Sequence, residues 1–145
     1  MPPGGILYKN SFWSFFLRAQ PVLVPCQGLI VLNRHDEELD RLNLEELSTL
    51  GPFMGDVTQV ISGVLHPARI HIGLYAETIR HIHFHVFPRM PDMPAGNVPV
   101  TFLLIWHRLL IQMRLKRPIS AERVNEVGER LKVGFDRLIS ASRLH

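Results

Sequence analysis

The alternation of apolar and polar positions predicts several strands in this chain. Apolar runs at residues 6–9 and 12–17 flank the polar pair Asn10-Ser11, which predicts two strands joined by a turn. The run from Gly28 to Asn33 is apolar on both faces, so we expect this strand at the centre of a sheet. The segment 20–27 contains two prolines and is predicted to be a loop.

Apolar residues that recur every three or four positions predict two helices. Asn43 can cap a helix that has acidic residues in its first turn, and Pro52 predicts a kink or a restart inside it. His66-Pro67 is expected to end this helix. Residues 100–115 are apolar but ambiguous between strand and helix, and Ser120 can cap a last helix. The two buried stripes are predicted at steps of three and four: Leu47, Leu50, Met54, Val57, Ile61 and Val64 in the first helix, and Val124, Val127, Leu131, Phe135 and Leu138 in the last.

Residues 81–89 form the most informative segment, His-Ile-His-Phe-His-Val-Phe-Pro-Arg. Strict alternation predicts a half-buried strand, in which successive side chains lie on opposite faces. His81, His83 and His85 therefore share one face, and the apolar residues between them share the other. Three imidazoles in register are hard to explain by packing alone, so this strand predicts a functional site.

A strand over residues 69–75 precedes the histidine strand and is connected to it by a short loop, which predicts a hairpin. Matching the apolar faces of the two strands places His71, Gly73 and Tyr75 beside the three histidines. A turn centred near Thr78 would put Gly73 opposite His83. A glycine at that position would leave room for a ligand at the middle imidazole.

Length and composition narrow the class of protein. With 145 residues, of which 46% are hydrophobic, the chain is expected to form one folded domain over residues 1–145. The single cysteine, Cys26, and an N-terminus without a signal-peptide pattern favour a cytoplasmic protein. The most apolar stretch, residues 98–115, is interrupted by charged residues, so no membrane span is expected. The excess of basic residues after position 107 lacks interleaved aromatics, which argues against nucleic-acid binding.

A row of histidines suits two kinds of chemistry. Neutral imidazoles two residues apart on a strand can bind zinc, although a metal site would need a further ligand and carboxylate partners. Alternatively, a neutral imidazole nitrogen can attack phosphorus and form a covalent intermediate, while its neighbours stabilise the phosphate charge. The residues alone leave both alternatives open.

The run His81-Ile-His-Phe-His-Val-Phe87 resembles the signature of the histidine triad (HIT) family, in which three histidines alternate with apolar residues. The following Pro88-Arg89 also matches many members. Upstream, the stretch from Gly28 to His35 is similar to the family's strand, and residues 35–46 are similar to its connection into the long helix. The resemblance covers about residues 6–106, where Trp106 matches a tryptophan of some bacterial members, and leaves a C-terminal helical extension at about 119–140.

This resemblance implies an α+β fold with an antiparallel sheet of about five strands, one long central helix and a C-terminal helix. It further implies a bacterial-type nucleotide hydrolase or transferase, commonly homodimeric, which acts at the α-phosphate of nucleoside phosphates. Dinucleoside polyphosphates and nucleoside phosphoramidates are the candidate substrates, and no cofactor or metal is expected. The alternatives are a non-catalytic nucleotide-binding module and, third, a metal-binding protein.

The resemblance also implies roles for individual residues. His83 corresponds to the nucleophile, His85 and His81 would contact the phosphate and hold the nucleophile's tautomer, and Thr78 matches a residue that donates to phosphate. The further candidate substrate-binding residues are His71, Gly73, His35 and Arg89; the last two could equally be a helix-flanking histidine and a solvated arginine. The chain departs from the common pattern at three places, Leu29, His71 and Glu77, and it lacks the cysteine pair of zinc-containing members.

Overall fold

The computed structural model describes residues 4–19, 22, 24, 26–75, 79–93, 99–115 and 117–142. Within them a five-stranded antiparallel sheet has the order β1-β2-β3-β5-β4, so β3 is the central strand, as its apolar faces predicted. The predicted α+β fold is thereby confirmed. The elements are β1 (Ile6–Lys9), β2 (Trp13–Leu17), β3 (Gly28–Leu32), a short 3-10 helix (Leu39–Arg41), α1 (Leu44–Leu65), β4 (Arg69–Leu74), β5 (His83–Arg89), α2 (Val100–Gln112) and α3 (Ala121–Ser142).

Helix α1 begins at a capping box, in which the side chain of Asn43 accepts from the Glu46 amide and the Glu46 carboxylate accepts from the Asn43 amide. It ends at His66, whose left-handed backbone and following proline stop the helix. The helix continues through Pro52, so the predicted restart at this proline is wrong.

The buried stripe of α1 is also shifted relative to the prediction, because Glu46 takes the position that Leu47 was expected to fill. The Glu46 carbonyl accepts a hydrogen bond from the indole of Trp13, whereas half of Leu47 is exposed. The buried residues of the helix are Glu46, Phe53, Val57, Val60 and Ile61.

One face of the sheet and helices α1 and α3 enclose the hydrophobic core. The ring of Tyr8 stacks between Phe53 of α1 and Phe135 of α3, at centroid distances of 4.9 Å and 4.8 Å. The predicted stripe of α3 is confirmed for Val124, Val127, Leu131 and Phe135, all buried, while Leu138 is partly buried. Because α3 supplies core residues, the C-terminal helix packs as part of the same body as the sheet.

The β4–β5 hairpin has a different register from the predicted one. Gly73 is paired with His85 rather than with His83, and His71 is paired with Phe87. The amide of Ala68 donates to the carbonyl of Arg89, which extends the same pairing by one residue. A shift of two residues preserves the faces of both strands, so the pattern of apolar residues could not distinguish the two registers.

The ambiguous segment after residue 99 is helical. Four of its apolar side chains, Phe102, Ile105, Trp106 and Leu109, are between 43% and 68% exposed. No helix in the described part of the chain is long and apolar enough to cross a membrane.

Candidate active site

The three histidines lie at the start of β5, between the central strand β3 and the edge strand β4. His83 and His85 are within the strand, and His81 lies two residues before its start. The amide of Leu32 donates to the carbonyl of Ile82, and the amide of Ile82 donates to the carbonyl of Asp36. Backbone hydrogen bonds therefore fix the position of His81 even though it precedes the strand.

His83 is buried, and its tautomer is determined by the backbone. Its Nδ1 lies 2.6 Å from the carbonyl oxygen of His81. Because a carbonyl can only accept, Nδ1 must carry the proton and donate it. The lone pair of a neutral His83 is therefore on Nε2, which is the arrangement that a nucleophilic imidazole requires.

His85 lies beside His83, with ring centroids 4.9 Å apart in an edge-on arrangement. Burial, the neighbouring His83 and the charge of Arg18, in that order, lower the pKa of His85 to about 4. In the free protein His85 is consequently neutral at pH 7.

The two ring nitrogens of His81 have different surroundings. Its Nε2–H donates to the carbonyl of Leu32 at 2.9 Å, while its Nδ1 is buried with no hydrogen-bond partner among the described residues. The exposed ring of His35 stacks on His81, with centroids 5.1 Å apart. This contact places His35 next to the first histidine rather than next to His83, and its role in substrate binding stays a prediction.

The segment that carries His35 is anchored by charge. Arg34 forms ion pairs with Asp36 and with Glu46, and it also donates to the carbonyl of Arg41. The Arg34 guanidinium holds the pKa of the Asp36 carboxyl and that of the Glu46 carboxyl below the usual range of such groups. In each case the largest cause is the hydrogen bond from Arg34. The capping box of α1 and the His35–His81 stack are therefore connected through a shared carboxylate, that of Glu46.

The β4 side of the site differs from the prediction because of the corrected register. Gly73 faces His85, and the space that it leaves is occupied by Tyr75: a Cβ at position 73 would lie 2.9 Å from the phenol oxygen. The Tyr75 ring is 5.6 Å from that of His85. Gly73 therefore makes room for Tyr75 beside His85 rather than for a ligand at His83.

His71 lies on the same face of the sheet as the triad. It pairs with Phe87, which is two residues beyond His85 along β5. Its partner Phe87 is four positions along the strand from His83, a distance of about 13 Å. Burial, followed by the charges of Arg89 and Arg69, lowers the pKa of His71, and its Nε2 is buried with no partner among the described residues. The predicted register placed His71 opposite His85, and the observed pairing with Phe87 moves it two residues farther from His83. Its role in substrate binding stays a prediction.

The remaining predicted site residues either lie far from His83 or fall outside the described part of the chain. Arg89 ends β5 opposite Arg69, at the end of the hairpin that is far from His83. Thr78 and Glu77 lie outside the described residues. Arg18 was not predicted as a site residue. Alternation continued by one residue beyond Leu17 puts it on the face of Phe16, and only the pairing of β2 with β3 and of β3 with β5 shows that this is the face of the triad.

We also searched the described residues for clusters of metal-binding side chains. These residues contain no group of three or more histidine, cysteine or acidic side chains that could hold a metal ion. Cys26 is buried, and burial raises its pKa to about 12, so it is a thiol at neutral pH.

A separate groove of about 600 Å³ lies between α1 and α3. Asp56, Gly134 and Arg137 are among the residues that line it, and it contains none of the histidines of the triad. It belongs to the helical side of the sheet, so we do not assign it to the candidate active site.

Comparison with known proteins identifies the fold. No family model matches the sequence. A curated relative, the asymmetrical bis(5'-nucleosyl)-tetraphosphatase of Schizosaccharomyces pombe, is 28% identical over 89 residues, which are 58% of this chain and 48% of that protein. The chain thus spans about half the length of the curated relative that it matches.

Several solved structures have a fold similar to that of this chain over nearly its whole length. A zinc-bound histidine triad family protein from Mycobacterium smegmatis has a TM-score of 0.67 at 18% identity, covering 97% of this chain and 89% of that one. Plasmodium falciparum diadenosine triphosphate hydrolase has a TM-score of 0.66 at 13% identity, covering 94% and 80%. A histidine triad nucleotide-binding protein from Sulfolobus tokodaii has a TM-score of 0.65 at 15% identity, covering 92% and 84%.

The fold is the histidine triad fold. The resemblance that the sequence indicated is therefore confirmed, and the motif that carried it, His81 to Phe87, lies at and along β5 of that fold. In this chain the middle histidine has a fixed tautomer, the third has a lowered pKa, and the first donates a hydrogen bond to the neighbouring strand β3.

Proposed function

We propose that this protein is a nucleotide-binding hydrolase or transferase that acts at the α-phosphate of nucleoside phosphates through a nucleotidyl intermediate on His83. The observation that carries the proposal is the hydrogen bond from Nδ1 of His83 to the carbonyl of His81, which leaves Nε2 as a lone-pair donor. Dinucleoside polyphosphates and nucleoside phosphoramidates are the candidate substrates.

The proposed reaction has two steps. Nε2 of His83 attacks the α-phosphorus, a bond from nitrogen to phosphorus forms, and the bond from phosphorus to the leaving group breaks. Water, or another acceptor in a transferase, then attacks the phosphorus and releases the nucleotide from His83. His81 holds the tautomer of His83 through its carbonyl, and the His85 ring lies close enough to contact the phosphate.

A substrate panel combined with trapping of the intermediate tests this proposal. Purified protein should release a mononucleotide from at least one dinucleoside polyphosphate or nucleoside phosphoramidate. Rapid acid-free denaturation during turnover should give intact protein with the mass of one added nucleotidyl group, mapped to the peptide that contains His83. Nucleotide-dependent thermal stabilisation without turnover of any substrate would instead favour a non-catalytic nucleotide-binding module.

Two further features are proposed on the resemblance to the family. We propose that the protein assembles as a homodimer and that it acts in the cytoplasm. Sedimentation equilibrium measures the first directly, since a monomer of 16.6 kDa and a dimer differ twofold in mass. A concentration-independent monomer would remove the dimer from the proposal.

A further inference from the structure

Arg18 lies on the same face of the sheet as the triad. Phe16 pairs with Leu29 on β3, and Leu29 pairs with His85 on β5, so these three side chains form one row across that face. The amide of Arg18 donates to the carbonyl of Gln27 at 2.8 Å, which continues the ladder by one residue. Strand alternation then places Arg18 on the face of Phe16, diagonal to His85.

The two flanks of His85 are chemically different. Tyr75 covers the flank toward β4, with its ring 5.6 Å from that of His85. Arg18 is on the flank toward β2, near enough that its charge contributes to lowering the pKa of His85. A negatively charged group next to His85 would therefore meet a permanent cation on the β2 side, since a guanidinium keeps its proton at any physiological pH.

The charge states of these groups distinguish between the two candidate classes of leaving group. With a pKa of about 4, His85 is a poor proton donor at pH 7. An amine that leaves from a phosphoramidate must receive a proton, whereas an oligophosphate departs as an anion and mainly needs positive charge beside it. The second requirement is the one that Arg18 meets.

We propose that Arg18 binds the departing phosphate chain and thereby selects substrates whose leaving group is an oligophosphate. This inference rests on the proposed function. When Nε2 of His83 bonds to the α-phosphorus, the bond to the bridging oxygen breaks and its electron pair stays on that oxygen. The nucleoside oligophosphate departs as an anion beside the guanidinium, and water then cleaves the phosphorus–nitrogen bond to release a nucleoside monophosphate and a proton.

The test compares two substrates in four proteins. We would measure kcat/KM for diadenosine tetraphosphate and for adenosine phosphoramidate in the wild type, R18Q, R18K and the control R137Q, which removes an exposed arginine on the opposite side of the sheet. R18Q should lower kcat/KM for the tetraphosphate by about 10- to 100-fold, the usual effect of a lost charge-assisted hydrogen bond. The phosphoramidate should change by less than about threefold, R18K should recover part of the loss, and R137Q should match the wild type.

The outcomes separate this inference from the proposed function. Equal losses for both substrates in R18Q, or no loss for either, would overturn the role of Arg18 while leaving the proposed function in place. A wild type that cleaves neither these two substrates nor any other member of the panel would overturn the proposed function itself, and this inference with it. A wild type that cleaves the phosphoramidate but not the tetraphosphate would overturn this inference alone. Should R18Q not fold, inorganic tripolyphosphate gives a second readout: it should inhibit the wild type competitively, and absence of inhibition at millimolar concentrations would contradict the proposal.

Discussion

The two faces of β5 are held by different kinds of interaction. On the core face, Phe84 and Val86 are buried among apolar side chains, whose contacts have no preferred direction. On the other face, His83 is held by a directional hydrogen bond, and His85 is only half-buried with a depressed pKa. Substitutions on the core face should therefore change stability more than chemistry, and substitutions on the triad face should do the reverse.

The largest effect is expected at the nucleophile. His83→Ala should remove the covalent intermediate and lower kcat by at least about 10³-fold, which corresponds to roughly 4 kcal/mol of lost transition-state stabilisation. Single-turnover kinetics with mass detection of the modified peptide measures both quantities. Near-normal turnover in a folded His83→Ala protein would show that another group is the nucleophile.

A matched pair on β3 tests the separation of the two faces in terms of stability. Ile30 is fully buried on the core face, whereas its neighbour Val31 is half-buried on the face of the triad and pairs with His83. Ile30→Ala should lower the free energy of unfolding by about 2–5 kcal/mol, and Val31→Ala by less than half of that amount. Denaturant unfolding measures the difference, and equal losses would mean that the triad face is as tightly packed as the core.

The third effect links His85 to the pH dependence of stability. Between an unfolded pKa of 6.5 and the folded value of about 4, the unfolded chain binds a proton at this site that the folded protein does not. Stability should therefore decrease as the pH falls from about 7 to 4. His85→Gln should lose less stability over that interval than the wild type does, by on the order of 1–2 kcal/mol after allowance for solvent screening of a half-exposed ring.

Chemical unfolding at a series of pH values provides the comparison. Parallel curves for His85→Gln and the wild type would show that the folded pKa of His85 is near its ordinary value. In that case, His85 could donate a proton near neutral pH, and the charge of Arg18 would not by itself distinguish the two classes of leaving group.

The smallest effect is expected at His71. The register predicted from sequence placed His71 opposite His85, within the triad cluster, where its replacement should shift the pH optimum. In the observed register about 13 Å of strand separates it from His83, more than the screening length at physiological ionic strength. His71→Asn should therefore move the pH–rate profile by less than about half a pH unit, and a shift of a full unit would favour the register predicted from sequence.

Much of the architecture follows from the sequence because it depends on local periodicity. The alternation in β5 and the capping box at Asn43 need no information about distant residues. The β4–β5 register does, because pairings that differ by two residues bury the same apolar face, and the choice depends on close contacts such as that between Gly73 and Tyr75.

The site was predictable where it follows the motif and less so where it depends on pairing across the sheet. His83 and His85 follow from the alternation in one strand. Arg18 joins them through two steps of strand pairing, β2 to β3 and β3 to β5, and no pattern within its own segment marks it. The stack of His35 on His81 depends likewise on the ion pairs of Arg34, which sequence spacing does not specify.

The stacking of Tyr8 between Phe53 and Phe135 has a consequence for how the chain folds. These three rings come from β1, α1 and α3, and 127 positions separate Tyr8 from Phe135. Contacts between residues so far apart in sequence form late, because closing the intervening loop costs entropy before any contact can offset it. A chain emerging from the ribosome would thus hold β1 and α1 without their third aromatic partner until α3 is synthesised, and the core could close only after that point.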